Sequence, residues 1–333
     1  MRIFVTGAAG FIGSSVCANL AKQGHQVHGL DNFSNYYSPE LKKLRVKEFL
    51  KPLDVSCTSG DLIDFELTKS LVKEFKPNSI IHLGAQAGVR LPLDKIDRYV
   101  ESNLIGFTNI TRIAVEEGIP NLLYASSSSV YGDSARIPYS ESEKKLSPSS
   151  YYGATKLFNE LAMPSLIRGS NTRARGLRFF TVYGPWGRPD MAYFRMIANI
   201  LSGVKFEFFG DGQIERDFTY IDDVSSIVSA LHDQMEKCLP GKSDVVNVGG
   251  GSPMSMNQLA DLLANLTGKE LRSTSLPGRA DDVMRTMADP TFLLSLINLK
   301  PETRLESGIS KTIQWASHSN HISSLKNWVE SSL

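Results

Sequence analysis

The sequence predicts an α/β protein: a doubly wound parallel sheet with a smaller C-terminal lobe. Three observations carry that expectation. Short, nearly all-apolar β-branched runs alternate with longer stretches of helical spacing, the pattern of two-face-buried strands and crossover helices. The first such run leads directly into a glycine-rich turn, Thr6-Gly7-Ala8-Ala9-Gly10-Phe11-Ile12-Gly13. The alternation breaks after residue 180, where Pro185, Gly187 and Pro189 cluster.

In chain order, residues 2–6, 26–30, 53–57, 79–83, 121–125 and 174–180 read as strands. Residues 11–23, 65–75, 98–117 and 150–167 read as the intervening helices. The strand-like stretch 245–248, ending at Gly249, is expected to return to the same sheet. This assigns residues 1–180 to a nucleotide-binding domain, with later returns near 217–249, and residues 181–333 mainly to the second lobe. The run 42–48, with Lys42, Lys43, Arg45 and Lys47, reads as a solvated helix face.

The 333 residues are about twice the usual domain length of roughly 150. Such a chain can bury a core without staples. Lys plus Arg is 36 and Asp plus Glu 35, a net charge of +1. That balance argues against a nucleic-acid partner, whose binding domains are strongly basic. No apolar run approaches the ~18 residues of a membrane span. Cys17, Cys57 and Cys238 are odd in number and unrelated in spacing, so neither a disulfide framework nor a zinc site is expected. The six histidines form no ligand-like grouping, and no metal is expected. The opening residues carry no leader pattern, which sets a cytoplasmic expectation.

The glycines at 7, 10 and 13 have distinct uses: a sharp reversal, close approach to a pyrophosphate, and tight helix–strand packing. The helix behind them offers N–H groups and positive potential to phosphate. The second strand leads to Asp31, whose carboxylate can accept from a ribose diol and would repel a 2′-phosphate, favouring NAD over NADP. Asp61-Leu62 follows the third strand, where an adenine edge would lie.

Tyr152 and Lys156 stand four residues apart at the start of a helix and share a face. A tyrosine titrates near ~10 and is a poor base at neutral pH unless neighbouring positive charge favours the phenolate. Upstream, Ser126-Ser127-Ser128-Ser129 closes the fifth strand, where a hydroxyl can share a hydrogen bond with Tyr152. Together these read as a Ser–Tyr–Lys set.

At this point the chain resembles an extended short-chain dehydrogenase/reductase, of Rossmann type, in the nucleotide-sugar epimerase/dehydratase family. The stretches 31–39, 84–90 and above all 178–191 (RFFTVYGPWGRPDM) resemble its UDP-glucuronate 4-epimerases most; 216–223 is shared more widely. The resemblance implies NAD as cofactor, a UDP-sugar as substrate, and a homodimer pairing helices 98–117 and 150–167. It implies Ser127 as the catalytic hydroxyl, Tyr152 as base and Lys156 as its partner. Cofactor contacts are implied at Gly7, Gly10, Phe11, Ile12, Gly13, Asp31, Asn32, Asp61, Leu62, Leu83, Ala85 and Gln86. Asn103 is implied near the nicotinamide ribose or a supporting water.

Dehydratases that the chain resembles carry an Asp-Glu pair after the catalytic hydroxyl, and decarboxylases a Glu before Val-Tyr-Gly. Here Ser128 and Ser129 stand in those places, which leaves C4 inversion. For a uronate, Ser128, Ser129 and Thr181 are candidate neutral donors to the sugar carboxylate, and Arg188 a charged one. Arg90, Arg216 and Arg279 are candidates for the diphosphate, with Asp282 beside them. The segment 277–289 departs from the pattern expected of glucuronate epimerases. It leaves room for a relative acting on UDP-glucose, UDP-N-acetylglucosamine or its uronate, or for another modifier in the family.

Overall fold

The computed structural model describes residues 1–133, 135–278 and 282–331. Strand β1 (Arg2–Thr6) is followed by α1 (Phe11–Lys22), β2 (Gln26–Asp31), α2 (Pro39–Arg45), β3 (Ser56–Ser59), α3 (Phe65–Phe75) and β4 (Ser79–His82). Then come a short α4 (Asp97–Tyr99), a π-helical stretch (Val100–Ile105), α5 (Gly106–Glu116), β5 (Asn121–Ser127), α6 (Tyr151–Leu166) and β6 (Arg173–Phe179). The remaining elements are β7 (Thr181–Tyr183), α7 (Ala192–Ser202), β8 (Phe206–Phe209), β9 (Glu215–Tyr220), α8 (Ile221–Asp233), β10 (Ser243–Val248), β11 (Pro253–Ser255), α9 (Met256–Thr267), β12 (Ser273–Leu276), α10 (Thr291–Ile297), α11 (Leu305–Ala316) and α12 (Ser319–Glu330).

Seven parallel strands form the central sheet in the order β10-β6-β5-β4-β1-β2-β3. The chain winds outward from β1 through β2 to β3, then restarts on the other side at β4. The switch point between β1 and β4 is where such sheets open a crevice at their carboxyl ends. The expected return of 245–248 is met: β10 pairs with β6 from Ser243↔Ala174 to Val248↔Phe179. Apolar side chains fill both faces: Val5, Ile81, Leu123 and Leu177 lie in one core cluster, and Phe4, Ile80, Leu122 and Ala174 in another. A three-stranded sheet (β11-β9-β7) and a two-stranded one (β12-β8) lie beyond the main sheet.

Three local expectations need correction. The third strand lies at Ser56–Ser59 rather than 53–57, because a 3-10 turn ends at Leu53 and Asp54 takes a left-handed conformation (φ 55°). The helix expected over 98–117 is interrupted by the π-helical stretch that carries Asn103. The 42–48 run is solvated only in part: Lys43, Lys47 and Glu48 are exposed, but Lys42 and Arg45 are buried, at 5 % and 0 % exposure. Arg45 donates to the Ala9 carbonyl, the Tyr37 hydroxyl and the Trp186 and Gly187 carbonyls. It thereby fastens the glycine turn to the 186–187 loop, a long-range role that helical spacing does not reveal.

Candidate active site

A continuous cleft of about 760 Å³ runs from the glycine turn, past the ends of β4 and β5, to β8 and the segment 282–286. At one end, Gly7 has φ +70°, and a Cβ there would lie 2.7 Å from the Gly84 nitrogen. A Cβ on Gly13 would lie 2.0 Å from the Gly7 carbonyl oxygen. The turn therefore has no room for side chains. No side chain caps α1 at Gly10, and Phe11, Ile12 and Gly13 line the cleft. A helix start of this kind suits a pyrophosphate.

Asp31, at the end of β2, accepts from Ala9 N–H (3.0 Å) and Phe33 N–H (2.8 Å). Each carboxylate oxygen keeps further lone-pair capacity for a ribose hydroxyl. The Asn32 amide donates to Asp61 at 2.8 Å, which ties the β2 and β3 ends together. Leu62, Leu83, Ala85 and Gln86 also line the cleft. Asn103 lies just behind the cleft wall. It is buried, accepting from Gln86 N–H (2.8 Å) and donating to Thr155 Oγ1 (3.1 Å), so it braces the Gln86 loop against α6.

Ser127 ends β5, and Tyr152 and Lys156 lie on the first turns of α6. Ser150 caps that helix by accepting from Gly153 N–H at 3.1 Å, which sets where it begins. The Lys156 ammonium donates to the Ala125 carbonyl at 3.0 Å and lies 5.8 Å from the Tyr152 ring centre. Burial lowers its pKa to about 8. Burial raises the Tyr152 phenol, opposed by the charge of Arg188 and by hydrogen bonding with Ser127.

Ser128, Ser129 and Thr181 line the adjoining wall. Arg188 lines it too, but pairs with Asp190 through Nε–Oδ1 (3.0 Å) and Nη2–Oδ2 (2.5 Å). The Tyr36 hydroxyl also donates to Asp190 (3.1 Å). Further along, Arg90 and Arg216 converge on the Asp282 carboxylate. Arg279 falls outside the described residues. Every other candidate except Asn103 reaches the same cleft.

Residue patterns missed several lining groups. Lys42 donates to the Ser34 carbonyl (2.8 Å) and hydroxyl (2.9 Å) near the cofactor end. Tyr36 and Asp190 stand within the family-like stretches, which was the available signal. Phe206 and Phe208 lie on β8 with ring centres 4.9 Å apart and line the far end; no local motif marks them. Trp186 packs on Phe49, Trp315 and His321 rather than in the cleft.

A phosphate-binding turn facing a Ser–Tyr–Lys group across one cleft defines a dinucleotide-dependent enzyme of the short-chain dehydrogenase/reductase class. The chain belongs to the NAD dependent epimerase/dehydratase family, whose model matches residues 3–249. It is 38% identical over 329 residues to Protein CapI of Staphylococcus aureus, covering 95% of this chain and 98% of that protein. It is 39% identical over 328 residues to UDP-glucuronate 4-epimerase 4 of Arabidopsis thaliana, covering 95% and 75%. The solved UDP-glucuronic acid 4-epimerase from Bacillus cereus, in complex with UDP-glucuronic acid and NAD, superposes with a TM-score of 0.87 at 31% identity, covering 95% of this chain and 98% of that one. The cofactor of this chain is NAD. No helix of the described residues is long and apolar enough to cross a membrane.

Proposed function

We propose that this protein interconverts UDP-glucuronate and UDP-galacturonate by inversion at C4. The observation that carries the reading is the sugar end of the cleft. There the Ser127–Tyr152–Lys156 group adjoins Ser128, Ser129 and Thr181, with serines where an eliminating or decarboxylating relative would present carboxylates. The glucuronate 4-epimerases among its relatives support the same substrate.

NAD bound along the glycine turn supplies reversible hydride acceptance at C4. Gly7, Gly10 and Gly13 leave space for its pyrophosphate, and Asp31 holds a ribose diol. Tyr152 takes the proton of the sugar 4-hydroxyl and gives it back to that same oxygen when hydride returns to the other face of C4. Ser127 hydrogen-bonds the same oxygen and keeps it in line. The Lys156 charge, 5.8 Å from the Tyr152 ring centre, favours the phenolate. Arg90 and Arg216 hold the diphosphate and so leave the sugar free to turn between the two hydride transfers.

A 4-keto uronate is a β-keto acid and loses carbon dioxide when its carboxylate stands perpendicular to the carbonyl plane. Ser128, Ser129 and Thr181 hold the carboxylate near that plane with neutral donors, and Arg188 adds a charged one. A second reading is favoured by one observation: Arg188 is already paired with Asp190. On that reading the substrate is a neutral or N-acetylated UDP-hexose. The apolar residues Tyr151, Phe158, Leu161 and Leu166, exposed on α6, support a homodimer built on that helix. The free cysteines fit a reducing, cytoplasmic setting.

The deciding experiment is proton NMR of the purified protein with UDP-glucuronate, UDP-glucose and UDP-N-acetylglucosamine. UDP-galacturonate forming without a pentose product or accumulating NADH supports the first reading. Turnover of only a neutral sugar replaces it with the second. Tyr152→Phe is expected to lose about a thousandfold in turnover while still binding NAD; full activity in that variant removes the catalytic assignment.

A further inference from the structure

Glu160 lies on α6, four residues beyond Lys156 and eight beyond Tyr152, on the same broad side of the helix. Its side chain is 6 % exposed and it does not line the cleft. It accepts from the Ser126 hydroxyl at 2.5 Å. It also takes a two-point contact from Arg178, Nε–Oε1 at 2.9 Å and Nη2–Oε2 at 2.7 Å. Arg178 is fixed in turn: its guanidinium stacks 4.7 Å from the Tyr131 ring, whose hydroxyl donates to Asn247 Oδ1 at 2.8 Å.

Two successive residues at the end of β5 are thus joined to two side chains of α6: the Ala125 carbonyl meets Lys156 and the Ser126 hydroxyl meets Glu160. The next residue, Ser127, donates to Ser129 Oγ at 3.1 Å and lies close enough to Tyr152 to oppose the rise of its phenol. Through Arg178 and Asn247 the same connection spans β5, β6 and β10, neighbours in the sheet. A buried ion pair of this kind adds little stability over well-packed apolar side chains of similar volume. What it adds here is direction. The carboxylate admits one placement of Ser126, and Ser126 is covalently next to Ser127.

We propose that Glu160 is a positioning residue for the reaction, holding the β5 end through Ser126 so that the Ser127 hydroxyl meets Tyr152 in the register hydride transfer requires. This rests on the catalytic reading of Ser127, Tyr152 and Lys156. Displacing a reacting group by about an ångström costs up to a hundredfold in rate, so loss of one brace is expected to cost about tenfold.

The test compares Glu160→Gln, Ser126→Ala and Ser126→Thr, each in the parent and in a Ser127→Ala background, on UDP-glucuronate and UDP-glucose. kcat, KM, NAD affinity and melting temperature are read for each. Glu160→Gln and Ser126→Ala should each lower kcat about tenfold with KM and NAD affinity changed less than twofold. Ser126→Thr, which keeps the hydroxyl, should restore kcat. In the Ser127→Ala background the same changes should cost less than twofold, because the group they position is gone. An undiminished kcat in the folded variants, a loss confined to KM, or an equal loss in both backgrounds overturns the proposal. If Glu160→Gln does not fold, Ser126→Ala and Ser126→Thr decide alone. Full activity of Ser127→Ala and Tyr152→Phe would instead overturn the underlying catalytic reading.

Discussion

Gly13→Ala tests the cofactor site where the structure is least forgiving. The new Cβ would sit 2.0 Å from the Gly7 carbonyl oxygen and 2.8 Å from its carbon. A carbon–oxygen contact needs roughly 3.3 Å, so the shortfall is about 1.3 Å. The oxygen cannot retreat easily. It accepts from Gly10 N–H at 3.0 Å, and Gly7 N–H is bound to the Leu30 carbonyl at 2.7 Å. Relief requires α1 to shift away from the turn, and its inner face, including Val16, Cys17 and Leu20, is fully buried. Overpacking of this kind should cost the cofactor-free protein about 1–3 kcal/mol. The pyrophosphate cradle, displaced by about an ångström, should lose NAD affinity by roughly a hundredfold, about 2.8 kcal/mol. Calorimetric titration of cofactor-stripped protein measures the affinity, and urea unfolding the stability. A folded variant that binds NAD within threefold of the parent would refute the assignment of the pyrophosphate to this turn.

Asp190→Asn keeps the shape of the side chain and removes the countercharge of Arg188. The kcat/KM ratio of UDP-glucuronate to UDP-glucose should rise about three- to tenfold; an unmoved ratio means Arg188 does not meet the sugar carboxylate. Burial alone would raise the Asp190 carboxyl, but Arg188 and Tyr36 bring it below the usual range. Its contribution to stability is therefore present above the unfolded value near ~4 and lost as pH falls through the lower folded one. Acid unfolding below about pH 4 should accordingly be shallower in the variant. His82 is 3 % exposed, and burial lowers its pKa to about 3. The unfolded chain, at about 6.5, binds the proton first, so stability falls as pH drops below that value; by pH 5 the loss is about 1.5 units, or 2 kcal/mol. His82→Gln should lose about 2 kcal/mol less than the parent between pH 7 and 5 in urea titrations, and equal losses would exclude His82 as the source. Lys42→Met should weaken NAD binding several-fold, since the amine holds the Ser34 loop beside Asp31; unchanged calorimetric affinity would make Lys42 purely structural.

Much of the site was readable because its chemistry is local. The glycine spacing of 7, 10 and 13 and the i, i+4 relation of Tyr152 and Lys156 are set by a few adjacent residues, and strand–helix alternation places both at one edge of a parallel sheet. What failed was non-local. The run at 42–48 has the composition of a wetted helix, yet Arg45 finds four acceptors on three other segments. The interruption of the helix at 98–117 by a π-helical stretch, which sets Asn103 against the Gln86 loop, has no mark in the apolar spacing. Arg188 is a candidate donor to the sugar carboxylate by its place in the loop, and the fold adds Tyr36, from 154 residues away, to the Asp190 carboxylate that pairs with it.

The chain by itself determined the sheet, the phosphate turn and the Tyr–Lys pair, because backbone conformation, apolar periodicity and helical phase act over a few residues. Tertiary structure alone decided which buried charges are paired. It set Arg188 against Asp190, Arg90 and Arg216 against Asp282, and Glu160 between Ser126 and Arg178. Most of these contacts join residues far apart in sequence, and burying a charge is tolerable only when the partner brought by the fold stands within hydrogen-bonding distance.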